Sequence, residues 1–156
     1  MPQPNQIADR TAEIVASHLA LEGPLLPILH AIQAEFGHVP QTALPVIADG
    51  LNLTKAEVHG VMSFYHDFRE VPAGAHVVKL CRAEACQAMG ADHLADYAKA
   101  KLGVDFHGTT ADGSVTLEAV YCLGLCACAP AALVDGKVVG RVDEARFDAI
   151  VAECRA

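Results

Sequence analysis

All six cysteines of the chain lie beyond residue 80, and four of them form two tight pairs, Cys81-x4-Cys86 and Cys122-x3-Cys126. No other feature limits the fold as strongly, because four thiols so divided can act together only if tertiary structure joins them. Each pair follows a short run of strand character. His76-Val77-Val78-Lys79-Leu80 leads into Cys81, and Val115-Thr116-Leu117-Glu118-Ala119-Val120 leads to Cys122. β-Branched residues favour a pleated, half-buried surface. Two such strands side by side would deliver all four thiols to one end of a sheet.

The N-terminal Met1-Pro2-Gln3-Pro4-Asn5-Gln6 has neither the basic region nor the apolar stretch of a signal peptide. A cytoplasmic chain is therefore expected, and in a reducing compartment cysteines bind metal or do chemistry more often than they pair as disulfides. With 53% apolar residues the chain can also build a core without disulfide staples.

The cysteine-free front half reads as helices. Ile7, Ile14, Val15 and Leu19 recur at helical spacing and suggest a first helix near residues 5–20. Pro24 suits a first helical position, and Leu25, Ile28, Leu29, Ile32 and Phe36 form one apolar stripe stopped by Gly37. Thr42 is expected to cap a short third helix through Ile47, ended by Gly50. Thr54-Lys55-Ala56-Glu57 has the form of a capping box, and Val58, Val61, Met62 and Tyr65 continue a fourth helix.

Between Arg69 and Ala75 the helical period breaks at Pro72 and Gly74, so the domains are expected to be 1–72, a helical bundle, and 73–156. In the second part, residues 85–102 read as a helix with Met89, Leu94 and Ala98 turned inward and Gly103 closing it. Ala132-Leu133-Val134 and Lys137-Val138-Val139 flank Asp135-Gly136, a strong two-residue hairpin signal. Asp143 then caps a last helix carrying Phe147, Ile150 and Val151. The order strand, helix, strand, strand, helix describes a small α/β sandwich.

Four thiolates brought together suit a [2Fe–2S] cluster, in which each iron takes two bridging sulfides and two protein sulfurs. Gly124 between Cys122 and Cys126 lets the backbone curl and leaves amides free to point at sulfur. Such amides matter because the oxidised cluster with four thiolates carries a charge of about −2, and reduction adds to it. A structural Zn²⁺ on the same four cysteines also fits the spacing, and two disulfides are a third reading. A thioredoxin-type redox pair would need C-x-x-C, which is absent. Cys128 stands close enough to Cys126 to compete as a ligand but reads as a small buried residue. Cys154 reads as packing or partly exposed. Ligation by histidine would need a His beside each pair, and His76, expected at a strand edge on the surface, is the one near neighbour.

Other functions find little footing. The balance of 11 basic against 19 acidic residues, formally −8, disfavours nucleic acid and anionic membranes. No stretch reaches the ~18 apolar residues of a membrane span. Neither G-x-G-x-x-G after a strand nor G-x-x-x-x-G-K-[ST] occurs, and no Ser–His–Asp or paired-carboxylate arrangement stands out. A cluster without a substrate site carries electrons rather than making bonds.

The C-x4-C pair, Cys122-Leu123-Gly124-x-Cys126 and Ala129-Pro130 resemble the thioredoxin-like [2Fe–2S] ferredoxins of the NADH dehydrogenase 24-kilodalton subunit family. In the front half, Leu25–Gln33, Phe36–Pro40 and Ala56–Tyr65 resemble that family's helical extension. The resemblance implies a thioredoxin-like domain behind the bundle, with the cluster on Cys81, Cys86, Cys122 and Cys126. It also implies partners: a flavin (FMN)-containing, NAD-binding subunit that exchanges electrons with the cluster, and further iron–sulfur or molybdenum subunits. Within the family, Tyr121 before Cys122, the Cys126–Pro130 run and the short length resemble most the gamma subunit of NAD-dependent formate dehydrogenase. Respiratory complex I and NAD-linked hydrogenases use the equivalent subunit and are the alternatives.

Overall fold

The computed structural model describes residues 4–156. The first residues of the supposed non-signal N-terminus, 1–3, lie outside the described residues. The chain divides into two compact units, Met1–Pro72 and Ala73–Ala156.

The first unit is four helices: α1 (Pro4–His18), α2 (Leu25–Phe36), α3 (Ala43–Leu51) and α4 (Lys55–Phe64). Its core is the apolar stripes read from the sequence, with Ile14, Val15, Ile28, Leu29, Ile32, Ile47, Val58 and Met62 buried together. The stripes fade at their ends. Leu25 and Phe36 are only half-buried, and Leu19 and Tyr65 lie beyond the helices and are exposed. Gly37 takes the left-handed conformation that ends α2. The capping box is present: the Glu57 amide donates to Thr54 Oγ1 at 3.2 Å, and the Thr54 amide donates to Glu57 Oε2 at 2.8 Å.

Gly50 does not end α3. The helix continues to Leu51, and Asn52, at φ 55°, makes the left-handed stop. Gly50 serves packing instead, because a Cβ there would meet Val15 Cγ1 of α1 at 2.6 Å. Thr42 precedes α3 without a side-chain cap, since its own backbone is already helical at φ −70°, ψ −18°.

The second unit is a five-stranded sheet with helices. Its elements are β1 (His76–Cys81), α5 (Glu84–Ala88), α6 (Ala91–Leu102), β2 (Gly108–Thr109), β3 (Val115–Val120), a 3₁₀ turn (Cys126–Cys128), β4 (Ala131–Val134), β5 (Lys137–Gly140) and α7 (Glu144–Cys154). The strand order is β2-β3-β1-β4-β5. β1 and β3 run parallel from His76↔Val115 to Cys81↔Val120, while β4 runs antiparallel to β1. Strand alternation then sorts the side chains. Val78, Leu80, Val115, Leu117 and Ala132 pack with Leu94, Ala98, Phe147, Ile150 and Val151 of α6 and α7. Burying Phe147 alone is worth about 1.5–3 kcal/mol.

The expected helix over 85–102 is two helices. Gly90, at φ 91°, breaks the run between α5 and α6, and the break turns Met89 outward, where it is exposed rather than in the core. The short β2 has no counterpart in the sequence reading, because two residues carry no period. His76 is not on a strand edge: β1 lies between β3 and β4, and the His76 ring bonds Asp135 Oδ2 at 2.7 Å. The Asp135-Gly136 turn is formed with φ 47° and 81°, both left-handed, as a two-residue hairpin of this kind requires.

Candidate metal centre

The parallel register ends β1 at Cys81 and β3 at Val120, so the segments after both strands leave the sheet at the same end. β4, antiparallel to β1, begins at that end with Ala131. Three stretches of chain therefore converge there: Cys81–Cys86, Cys122–Cys126 and the approach to Ala131.

Cys81 closes β1 and Cys86 sits within α5. Both are buried, at 3% and 2% exposure, in a small apolar cluster with Ala91, Ala129 and Ala131. Ala83, Val120, Leu123 and Leu125 pack against that cluster, which gives Leu123 and Leu125 the shielding position. Pro130, half-buried, follows Ala129 through a cis peptide. Cys122 and Cys126 are exposed. Cys122 holds φ 84°, a left-handed conformation uncommon outside glycine, and Gly124 follows at φ 75°. These two turns curl the loop so that the Gly124 amide donates to Cys122 Sγ at 3.4 Å and the Sγ atoms of Cys122 and Cys126 stand 3.9 Å apart.

The pairs are tied to each other through Cys81. The amides of Ala83, Cys122 and Leu123 and the thiol of Cys86 lie on the side of the Cys81 sulfur and favour its ionised form. Burial opposes ionisation of Cys81, but these donors outweigh it and hold the thiol below its ordinary range. Burial, then the bond it gives to Cys81, pushes the Cys86 thiol up, while the Ala131 amide acts the other way. Cys126 is raised by the hydrogen bond and charge it shares with Cys122. Amides from both loops thus favour ionisation of the sulfur at the buried end of the site.

The remaining thiols stand apart. Cys128 is half-buried rather than buried. It packs on β5, where a Cβ on Gly140 would meet Cys128 Cβ at 2.7 Å, and its carbonyl accepts the Arg141 amide at 2.6 Å. Cys154 is buried in the core beneath α7, and burial raises its thiol. Among the described residues no three His, Cys, Asp or Glu side chains gather in the manner of a single-ion site.

Sequence reasoning anticipated amides in the Gly124 turn, and the Gly124 amide is there at Cys122 Sγ, but it missed those of Ala83 and Leu123 beside Cys81 and passed over Arg82. That guanidinium follows Cys81 directly, and its Nη2 donates to Asp92 Oδ1 at 2.7 Å.

Residues 11–155 match the thioredoxin-like [2Fe-2S] ferredoxin family. The chain belongs to that family, and its cofactor is a [2Fe–2S] cluster. It is similar to the NADP-reducing hydrogenase subunit HndA of Solidesulfovibrio fructosivorans, 34% identical over 98% of this chain and 88% of that one. It is 39% identical to an NADH-quinone oxidoreductase subunit of Mycobacterium tuberculosis over 79% of its own length and 49% of the relative's, so it spans about half of that protein. In the crystal structure of the air-oxidised NAD+-reducing [NiFe]-hydrogenase, 84% of this chain superposes at a TM-score of 0.70 and 27% identity, covering 22% of the hydrogenase chain. No described helix is long and apolar enough to cross a membrane.

Proposed function

We propose that Cys81, Cys86, Cys122 and Cys126 each give one thiolate to the [2Fe–2S] cluster, and that the chain is an electron-carrying subunit of an NAD-linked oxidoreductase. Its partner is a flavin (FMN)-containing, NAD-binding subunit. The observation that carries the ligand set is the parallel register of β1 and β3, which sends the loops bearing both cysteine pairs off the same end of the sheet. Four cysteine sulfurs with amide donors match the chemistry of an anionic all-thiolate cluster.

When bound, the cluster stores and passes single electrons. The residues of the chain do the rest. Cys81 and Cys86 anchor the site in the apolar cluster, Leu123 and Leu125 restrict water, and the amides of Ala83, Leu123, Gly124 and Ala131 face negative sulfur. Fixed dipoles of this kind lower the cost of added negative charge and so set how readily an electron is accepted. Residues 73–156 form the cluster-holding domain and residues 1–72 the helical domain of this proposal, which also includes a cytoplasmic location.

The relatives favour the hydrogenase or NADH-quinone oxidoreductase type of parent complex over formate dehydrogenase. Tyr121 and the Cys126–Pro130 run, on which the formate dehydrogenase resemblance rests, are a few positions. The match to the hydrogenase subunit spans nearly both chains.

Purification without air, followed by metal and acid-labile sulfide analysis and EPR of the dithionite-reduced protein, tests the reading. About two irons and two sulfides per chain with a reduced S = 1/2 signal is the expected result. One zinc, no sulfide and no colour would overturn it. Co-purification of a flavoprotein with NADH-oxidising activity tests the partner.

A further inference from the structure

Arg82 is the residue next to Cys81, and its side chain is held on several sides. Nη2 donates to Asp92 Oδ1 at 2.7 Å, and the guanidinium carbon lies 5.4 Å from the centre of the Phe106 ring. Lys99 Nζ approaches the same ring at 4.9 Å. The backbone of Arg82 is fixed as well: its amide donates to the Val120 carbonyl at 2.8 Å, and its carbonyl accepts the Gln87 side-chain amide at 2.8 Å. The guanidinium Nε is buried and has no hydrogen-bond partner. A buried N–H left unpaired costs stability, of the order of 1–3 kcal/mol, so packing alone would favour an apolar residue here.

We propose that Arg82 is a potential-setting residue, a fixed positive charge that favours the reduced cluster. This inference rests on the proposed ligation by Cys81. When the site is reduced, one electron enters, from the flavin partner or from dithionite, and no bond forms or breaks; the site becomes more negative by one unit. A cation one residue from a ligand sulfur stabilises that form more than the oxidised one. Arg82 follows Cys81 directly, and its amide donates to the carbonyl of Val120, two residues before Cys122, so its backbone is fixed between the two cysteine loops. The side chains of Arg82 and Asp92 are 26% and 60% exposed. Water therefore screens the carboxylate more than the guanidinium, so Asp92 offsets the positive charge at the cluster only in part. Arginine suits the position because it stays charged and stacks on an aromatic face, which ammonium does less well.

The test is a potentiometric EPR titration of the anaerobically purified protein, with iron and sulfide counted in each variant. Arg82→Gln is expected to lower the midpoint potential, by about tenfold in the electron-partition constant, or 59 mV for a one-electron couple. Arg82→Lys should retain most of the wild-type value, and Asp92→Asn, at an exposed carboxylate, should raise it. The double variant should return toward wild type. An Arg82→Gln protein with a full cluster and an unchanged potential overturns the inference. So does an unchanged potential in Asp92→Asn, which keeps the test open if Arg82→Gln fails to load. Absence of iron and sulfide from the wild-type protein would instead overturn the ligation reading.

Discussion

Cys81 and Cys86 lie at the end of a central strand and in a short helix, sealed among alanines. Cys122 and Cys126 stand on an exposed loop held in shape by left-handed turns at 122 and 124. The first pair is positioned by core packing, which would place those side chains whether or not they did chemistry. The second pair is positioned by backbone conformation, which an exposed loop keeps only at a cost. The parallel register of β1 and β3 links the two, because both loops leave the sheet at the same end. One half of the site is thus inherited from the fold and the other half is built onto it.

Replacing any of the four cysteines by Ala should have the largest effect, loss of the [2Fe–2S] visible absorption and EPR signal. An intact spectrum in a Cys122→Ala or Cys126→Ala protein would break the comparison by showing that the loop pair is not ligating. The cluster-free chain separates the pairs next. Cys86→Ala removes a buried atom and should cost about 1 kcal/mol in denaturant unfolding, on the scale of one deleted core atom. Cys126→Ala, on an exposed loop, should stay within about 0.5 kcal/mol. Equal costs would mean that the exposed loop is packed as firmly as the core.

Gly124→Ala probes the loop itself. Open space surrounds the position, so its cost is conformational: about 1–2 kcal/mol for a side chain at φ 75°. That cost should appear as weaker cluster retention on dilution. The smallest effect is in pH dependence. The lowered thiol of Cys81 stabilises the fold above the unfolded-chain value, about 8.5, and that contribution is lost as pH falls through the lower folded value. The raised thiols of Cys86 and Cys126 act in the opposite sense, stabilising at lower pH and losing this as pH rises through their folded values. Cys86→Ser in the cluster-free chain removes one opposing term and keeps a donor to Cys81. Above about 8.5 its melting temperature should then fall less steeply with pH than that of the wild type. An unchanged slope there would mean that the Cys86 thiol is not raised.

Much of this was legible in the sequence because the signals are local. Helical stripes, the Thr54–Glu57 box, the Asp135-Gly136 turn and the cap at Asp143, whose Oδ1 accepts the Arg146 amide at 2.8 Å, each depend on residues within a turn or two. The misreadings share the opposite cause. Gly50 looked like a helix stop, but its role is set by Val15 on another helix. Met89 fitted the helical period until the left-handed turn at Gly90 rotated it to the surface. The contrast between Cys81 and Cys86 was invisible because identical side chains are pushed to different acidities only by the amides and burial around them.

By itself, the sequence determined most of the elements and the two cysteine pairs, since propensity, period and capping act over a few residues. Tertiary structure decided which pair is buried and which exposed, which sulfur is made the more acidic, and how Arg82 is pinned between Asp92 and Phe106. Those outcomes depend on groups that strand register and packing bring together from separate parts of the chain, and no short stretch of sequence contains them.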